Sequence, residues 1–451
     1  MGQAVHALAR HVVETGLHMI SDQVRRHAKL VLLDTLGVIL AGSVQPEMRA
    51  WRARLGATAG QGATLLTAGW PSAAPSLAAL FNGTAGRSIE LCESHRFVNC
   101  QAAVQVLPTA LATAEAERSD GAAMLLAFIL GYDVAIRVGA GTRMRPLAHQ
   151  NGQSAMIGAV AAGARLRGLD TAATAQALGL GATFILVPSY NNAVAGATTL
   201  NLAGGMSGFV GAMVPELAMA GFRAQENGLE EALSLLVANG FDERPVVEEL
   251  GQRWEITRNA FRLRACCIPT YASLDALEAA LAELGAAPNE IARIEVATYE
   301  FAAAMRSQNP ANSFAARYSL PHAAAAIVLR GDVGLDAFQD ELVHDPAYAR
   351  IRERVHVTAD EEMTARYPRD KAGRVTVTLV DGRSATVARD GARGDFRQPY
   401  AEAEIRTKFR DLAGRLLPAE AVGQVEEAVE GIERWPSPDT LLDLLRRAQA
   451  R

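Results

Sequence analysis

The chain has 451 residues, 49% of them hydrophobic and 21% charged, with a formal net charge of −5. That is globular composition, long enough for two or three domains and a large core, and it excludes a strongly basic face for nucleic acid or an anionic membrane. Four cysteines, Cys92, Cys100, Cys266 and Cys267, are too few for a disulfide framework in a chain of this size.

The opening "MGQAVHALARHVVETGLHM" is amphipathic and broken by His and Glu. It has no continuous apolar region before a cleavage site, so it does not read as a secretory signal. His6 stands where myristoylation needs Ser or Thr. No run reaches 18 uninterrupted apolar residues, so no spanning helix and no membrane association are expected, and a cytoplasmic protein with free thiols is the expectation.

Up to about residue 240 the apolar spacing is helical. "SDQVRRHAKLVLLDTLGVILAG" opens on a Ser/Asp cap and runs to Gly42. "SDGAAMLLAFILGYDVAIRVGAG" opens on Ser119-Asp120 and is apolar nearly all round, which predicts a buried helix. "SAMIGAVAAGARLRGLD", "TAATAQALGLGATF" and "MSGFVGAMVPELAMAGF" follow, rich in the small residues that let helices approach closely. After Trp254 the character changes. "IARIEVATYE" puts Ile294, Val296 and Thr298 on one face of a strand, and "RVTVTLVDGRSATVARD" reads as a hairpin around Asp381-Gly382. "LDALEAALAEL" and "SLPHAAAAIVLRG" read as helices between them, and the tail from "YAEAEIRTKFRDLAGRLL" is helical again. The fold class is therefore mainly α: a large helical domain over 1–258 and 398–451, built from both ends of the chain, with a smaller α+β domain over 259–397.

One stretch carries unusual chemistry. "SIELCESHRFVNCQAAVQVLPTALATAE" sets Glu90, Cys92, Glu93, His95, Arg96 and Cys100 just ahead of an apolar helix. A solvated loop accounts for the charges but not for two thiols; a site at a helix N-terminus accounts for both. The helix is expected to begin near Gln101 or Ala102, where backbone amides, Arg96 and the helix dipole suit an anion. Elsewhere, Arg262 and Arg264 are further candidate anion-binding cations, since guanidinium binds oxyanions such as carboxylate bidentately. His95, His149 and His322 are of the one side-chain type that can titrate near neutral pH. Cys267 serves as an acid or base if a cation lowers its pKa, whereas a pair of adjacent cysteines is equally well read as two small buried hydrophobes.

Other chemistries fit poorly. Cys92 and Cys100 are eight apart and Cys266-Cys267 adjacent, the wrong spacing for zinc, so no metal is expected. "GLGLGATF" lies inside a helical run rather than after a strand, so it is not a phosphate loop, and no Gly-x-Ser-x-Gly elbow is present.

The phrases "LLDTLGVILAG", "NGTAGRSIEL", "VLPTALATAE", "GYDVAIRVG", "AGARLRGLD", "ARYSLPHAAAAIVLRG" and "AEIRTKFRDLA", in this order from residue 30 to about 412, resemble the MmgE/PrpD family of 2-methylcitrate dehydratases, cis-aconitate decarboxylases and iminodisuccinate epimerase-like proteins. The resemblance implies a helical domain with an α+β lid, a homodimer, and a site between the domains. It implies chemistry on small di- or tricarboxylates without metal or cofactor. It also implies site positions. The family's acidic motif falls on Glu90, Cys92, Glu93, Ser94 and His95, keeping an acid at Glu90 and a hydroxyl at Ser94. Its following His-Pro falls on Gln101-Ala102. The His of a later "HPTG"-like phrase is kept as His149. Two family lysines fall on Leu200 and Arg262, a second His on Cys267, and a Tyr on His322.

On this basis Glu90, His95, His149, Cys267 and His322 are the candidate catalytic groups, and Ser94, Arg96, Gln101, Arg262 and Arg264 the substrate-binding ones. They are expected to converge on one cleft. The expected activity is a lyase of dehydratase or decarboxylase type with an altered catalytic set. An epimerase on the same scaffold, which needs only proton removal and return, and a non-catalytic binding relative are the alternatives.

Overall fold

Caps and apolar spacing place the helices. The Ser21 hydroxyl accepts a bond from Val24 N at 3.4 Å and starts the Asp22–Ser43 helix. The Asp120 carboxylate accepts from Ala123 N at 2.7 Å and starts Gly121–Gly141, and Asp170 caps Thr171–Ala182 in the same way. The computed structural model describes residues 2–55 and 62–449.

The chain separates into two units. The first is formed by the segments up to Ser189, Thr199–Ala260, and from Ala401 onward. Its centre is a stack of Pro75–Arg87, Ala102–Ala116, Gly121–Gly141, Ser154–Leu166 and Thr199–Met219. Glycine makes that stack possible. A Cβ on Gly158 would lie 2.3 Å from the carbonyl oxygen of Gly131, and one on Gly131 2.7 Å from that of Gly158, so both helices must carry Gly where they cross. The C-terminal Glu402–Ala413 helix packs on Asp22–Ser43. The buried ammonium of Lys408 lies 2.6 Å from Asp34 and donates to the Leu91 carbonyl at 2.7 Å, fixing the start of the polar stretch.

Gly121–Gly141 and Thr199–Met219 are long and apolar enough for membrane spans by length and composition, with mean hydropathies of 1.7 and 1.2. Of these windows 89% and 56%, respectively, is buried within the protein. The charges inside the first helix are used internally. Arg137 donates to Asp133 at 2.6 Å and to the carbonyls of Glu248 and Arg253, each at 2.7 Å.

The second unit is Tyr190–Thr198 with Phe261–Tyr400. Its four-stranded sheet has the order Val355–Ala359, Ile291–Thr298, Gly373–Leu379, Ser384–Arg389. The hairpin turns at Gly382, whose φ of +89° favours glycine, and pairs Thr376 with Thr386. Ile291, Ile294, Val296 and Thr298 are buried on one face, and the Tyr271–Leu284 helix packs on the last two strands. Val355–Ala359, parallel to Ile291–Thr298, escapes sequence reading because "VHVTA" is short and exposed at alternate and terminal positions.

Candidate active site

Ser94 and His95 form a short strand paired antiparallel with Asn259-Ala260, both within the first unit. The Ala102–Ala116 helix follows, with Gln101 as its cap residue, where the sequence puts it. The stretch from Glu90 to Arg96 is buried, not solvated; Arg96 is 5% exposed. Each carboxylate in it has a designated partner. Glu90, held at φ +53°, accepts from Arg87 Nη2 at 2.8 Å, and Arg87 Nη1 donates to Cys92 Sγ at 2.9 Å. Glu93 accepts from Ala103 N at 2.9 Å and from the Tyr132 hydroxyl at 2.8 Å. The helix N-terminus is therefore occupied by the protein's own carboxylate, and Ala103 N is not available to a substrate carboxylate. Burial and the neighbouring Glu93 push the Tyr132 phenol well above its ordinary value, so it stays a donor. Burial and then Glu93 also push the Cys100 thiol up to about 12, which keeps it protonated.

His95 Nε2 lies 3.2 Å from Glu255. Burial alone would raise the Glu255 carboxyl. The bond and charge of His95, with Arg253 at 2.7 Å and Arg258 at 3.2 Å, outweigh it and hold the group at about 2. The Arg258 guanidinium also covers the Phe97 ring, 4.6 Å from its centroid. His95 is thus one member of a buried ionic network.

Gln101 is linked through Gln105 to Gly152, in the loop that follows His149. Gln105 Nε2 donates to the Gln101 carbonyl at 2.9 Å, and its Oε1 accepts from Gly152 N at 3.0 Å and from the Ser207 hydroxyl at 2.9 Å. His149 is 3% exposed. Its Nδ1 accepts from Asn151 N at 3.1 Å, which leaves the ring proton of the neutral form on Nε2. Leu200 is fully buried, and its carbonyl takes the Asn151 amide at 3.3 Å.

In the second unit, Cys267 Sγ and the Tyr190 hydroxyl are 3.2 Å apart. Tyr190 lies among Phe301 and Tyr318, at 4.9 and 6.1 Å between ring centroids. Cys266 and Cys267 are both buried and precede a short 3₁₀ turn rather than lying on a strand. Arg262 is fully buried near Tyr271, whose phenol burial raises well above its ordinary value. Arg264 is held by Asp275 at 2.6 Å and Glu278 at 2.8 Å, an ion-pair network that already satisfies the guanidinium. His322 uses both ring nitrogens. Nε2 donates to the Ala337 carbonyl at 3.0 Å, Nδ1 accepts from Arg352 Nη1 at 3.3 Å, and the ring stacks on Tyr348. Burial pulls it down to about 4 and the adjacent Arg352 adds to that, so the ring is neutral and serves packing as placed.

Sequence reasoning misses several partners: Arg87, Tyr132, Glu255, Tyr190, Asn151 and Gln153. Arg87 alone had a local signal, its spacing of three from Glu90 at a helix end. The others are distant in sequence or lack a titratable group. Among the described residues no three His, Cys, Asp or Glu side chains are grouped as metal ligands.

Comparison with known proteins bears on the whole chain. It is 24% identical to the cis-aconitate decarboxylase of Aspergillus terreus over 94% of this chain and 92% of that one. It is 23% identical to human cis-aconitate decarboxylase, covering 98% and 93%, and 23% identical to the cis-aconitate decarboxylase-like protein oryM of Aspergillus oryzae, covering 98% and 97%. Residues 265–434 match the MmgE/PrpD C-terminal domain, and residues 6–241, more than half of the chain, match the MmgE/PrpD N-terminal domain. The chain belongs to the MmgE/PrpD family.

Proposed function

We propose that the protein is a lyase that acts on a small di- or tricarboxylate by proton transfer next to a carboxylate. The observation that carries this reading is similarity over nearly the full length to enzymes named for decarboxylating cis-aconitate. In a decarboxylation the bond to the leaving carboxylate breaks, its electron pair stays on the carbon skeleton, and an acid protonates that carbon. In a dehydration a base removes the proton beside a carboxylate and an acid protonates the departing hydroxide. His149 offers an imidazole whose Nδ1 is held as an acceptor, and the Cys267–Tyr190 pair a thiol and a phenol in contact. Buried Arg96 and Arg262 supply positive charge for carboxylates.

A second reading, epimerisation, is favoured by what stands at two family positions. By the resemblance, Leu200 and Gln101 stand where relatives carry a lysine and a histidine, and neither side chain titrates. Proton removal and return at one carbon releases neither carbon dioxide nor hydroxide, so it needs no acid for a leaving group.

Incubation in deuterated water with cis-aconitate and a panel of hydroxy and unsaturated polycarboxylates, followed by NMR, separates these readings. Net conversion is the expected result. Deuterium uptake without net conversion identifies the epimerase. Neither, across the panel, would overturn the enzymatic reading in favour of a binding relative. Cys267→Ala and Tyr190→Phe should each lower turnover at least tenfold, about 1.4 kcal/mol; full activity in both removes the pair from the mechanism.

A further inference from the structure

The loop from His149 to Gln153 is held from several sides. His149 N donates to the Pro188 carbonyl at 2.8 Å, Gly152 N to Gln105 Oε1 at 3.0 Å, and Leu186 N to the Gly152 carbonyl at 2.9 Å. Gly152 sits at φ +78°, and a Cβ there would lie 3.0 Å from Leu186 Cβ and 3.1 Å from the Ala203 carbonyl oxygen. The loop thus carries its side chains in fixed positions.

Two of those side chains are amides whose orientation is determined. Asn151 Nδ2 donates to the Leu200 carbonyl at 3.3 Å, and Gln153 Nε2 donates to the His149 carbonyl at 3.1 Å. Turning either amide over would set oxygen against oxygen. Asn151 Oδ1 and Gln153 Oε1 are therefore defined acceptors. Both are buried, the residues being 0% and 2% exposed, and no group among the described residues donates to them. Asn201 Oδ1, next to Leu200, and Gln101 Oε1, on the residue whose carbonyl Gln105 holds, are buried acceptors in the same condition. Two oriented carbonyl oxygens without a donor, on residues two and four positions after one histidine, stand out in a folded protein, where buried polar atoms are nearly always paired.

We propose that Asn151 and Gln153 recognise a hydrogen-bond donor on the substrate, a hydroxyl or an amino group borne on the carbon skeleton next to its carboxylates. An ionised carboxylate has acceptors only and cannot satisfy these oxygens, so this part of the site reads the substituent rather than another acid group. The inference rests on the reading of the protein as a binder of small carboxylates, and it narrows the substrate class to hydroxy or amino acids of that kind.

The test is isothermal titration of the full-length protein with four dicarboxylates that differ in one substituent: succinate, methylsuccinate, malate and aspartate. Malate or aspartate is expected to bind at least tenfold more tightly than succinate, about 1.4 kcal/mol, and methylsuccinate no more tightly. Preference for malate assigns the hydroxyl, and preference for aspartate the amine. Gln153→Met, which removes the acceptor at similar size, should bring the preferred ligand down to the affinity of succinate and leave succinate unchanged. The wild-type comparison decides the matter if that variant does not fold. Equal affinity for all four would overturn the donor assignment while the carboxylate reading stands; the oxygens would then face ordered water. Binding of none would overturn both.

Discussion

Protonation of His322 should loosen the second unit in acid, and the geometry fixes the sign and size of the effect. The ring is fully buried, donates from Nε2 to Ala337, and accepts at Nδ1 from Arg352. A second proton would go onto Nδ1, directly against a guanidinium. The folded protein resists that proton down to about pH 4, below the ordinary value of 6.5, and burial is the largest cause. The unfolded chain takes it near 6.5. Between those values the unfolded state binds more protons, so stability falls as the pH drops through the window. At about 1.4 kcal/mol per pH unit, the window of roughly 2.5 units corresponds to about 3 kcal/mol. Denaturant unfolding of wild type and His322→Gln, followed by far-ultraviolet circular dichroism at pH 7, 5.5 and 4.5, measures it. Carboxylates titrating in the same range are common to both proteins and cancel in the difference. The variant is less stable than wild type at pH 7, because it loses the stacking on Tyr348 and the two bonds. Its deficit should shrink toward pH 4 by most of those 3 kcal/mol. Parallel curves for the two proteins would refute the reasoning and reopen His322 as a titrating group of the site.

Other perturbations read other parts of the molecule. His95→Ala removes one of the groups that hold the Glu255 carboxyl at about 2, and should cost about 1–3 kcal/mol at pH 7 in the same unfolding assay, because Arg253 and Arg258 remain; an unchanged midpoint would mean the pair contributes nothing. Tyr132→Phe leaves Glu93 Oε2 without its phenol donor in a fully buried position, a loss of about 1.5–3 kcal/mol; a change below about 0.5 kcal/mol would show that another donor replaces it. The helical unit exposes Leu147, Leu202, Met219, Phe222, Leu235 and Leu236, and a homodimer is expected in solution. Light scattering at micromolar concentration should give twice the chain mass of 47.8 kDa, and a monomer would rule out a stable dimer.

Periodicity and caps determine most of the helices, since these depend on residues three or four apart. Asp22–Ser43, Gly121–Gly141 and the hairpin at Gly382 follow directly from local sequence. The start of the Ala102–Ala116 helix is legible too, because the apolar run begins there. Order and spacing of short phrases carry the family. Partners separated by tens or hundreds of residues are a different matter. Nothing local tells that Glu93 meets Tyr132, that His95 meets Glu255, or that Lys408 reaches Asp34. Nor does sequence show that Tyr190–Thr198 leaves the helical unit and joins the second one, bringing a phenol to Cys267. The same limit governs charge. Burial and neighbours, which only the tertiary structure sets, make His322 a neutral packing group, keep Cys100 protonated and hold Glu255 ionised, although the residue types alone would allow each to titrate as an ordinary acid or base.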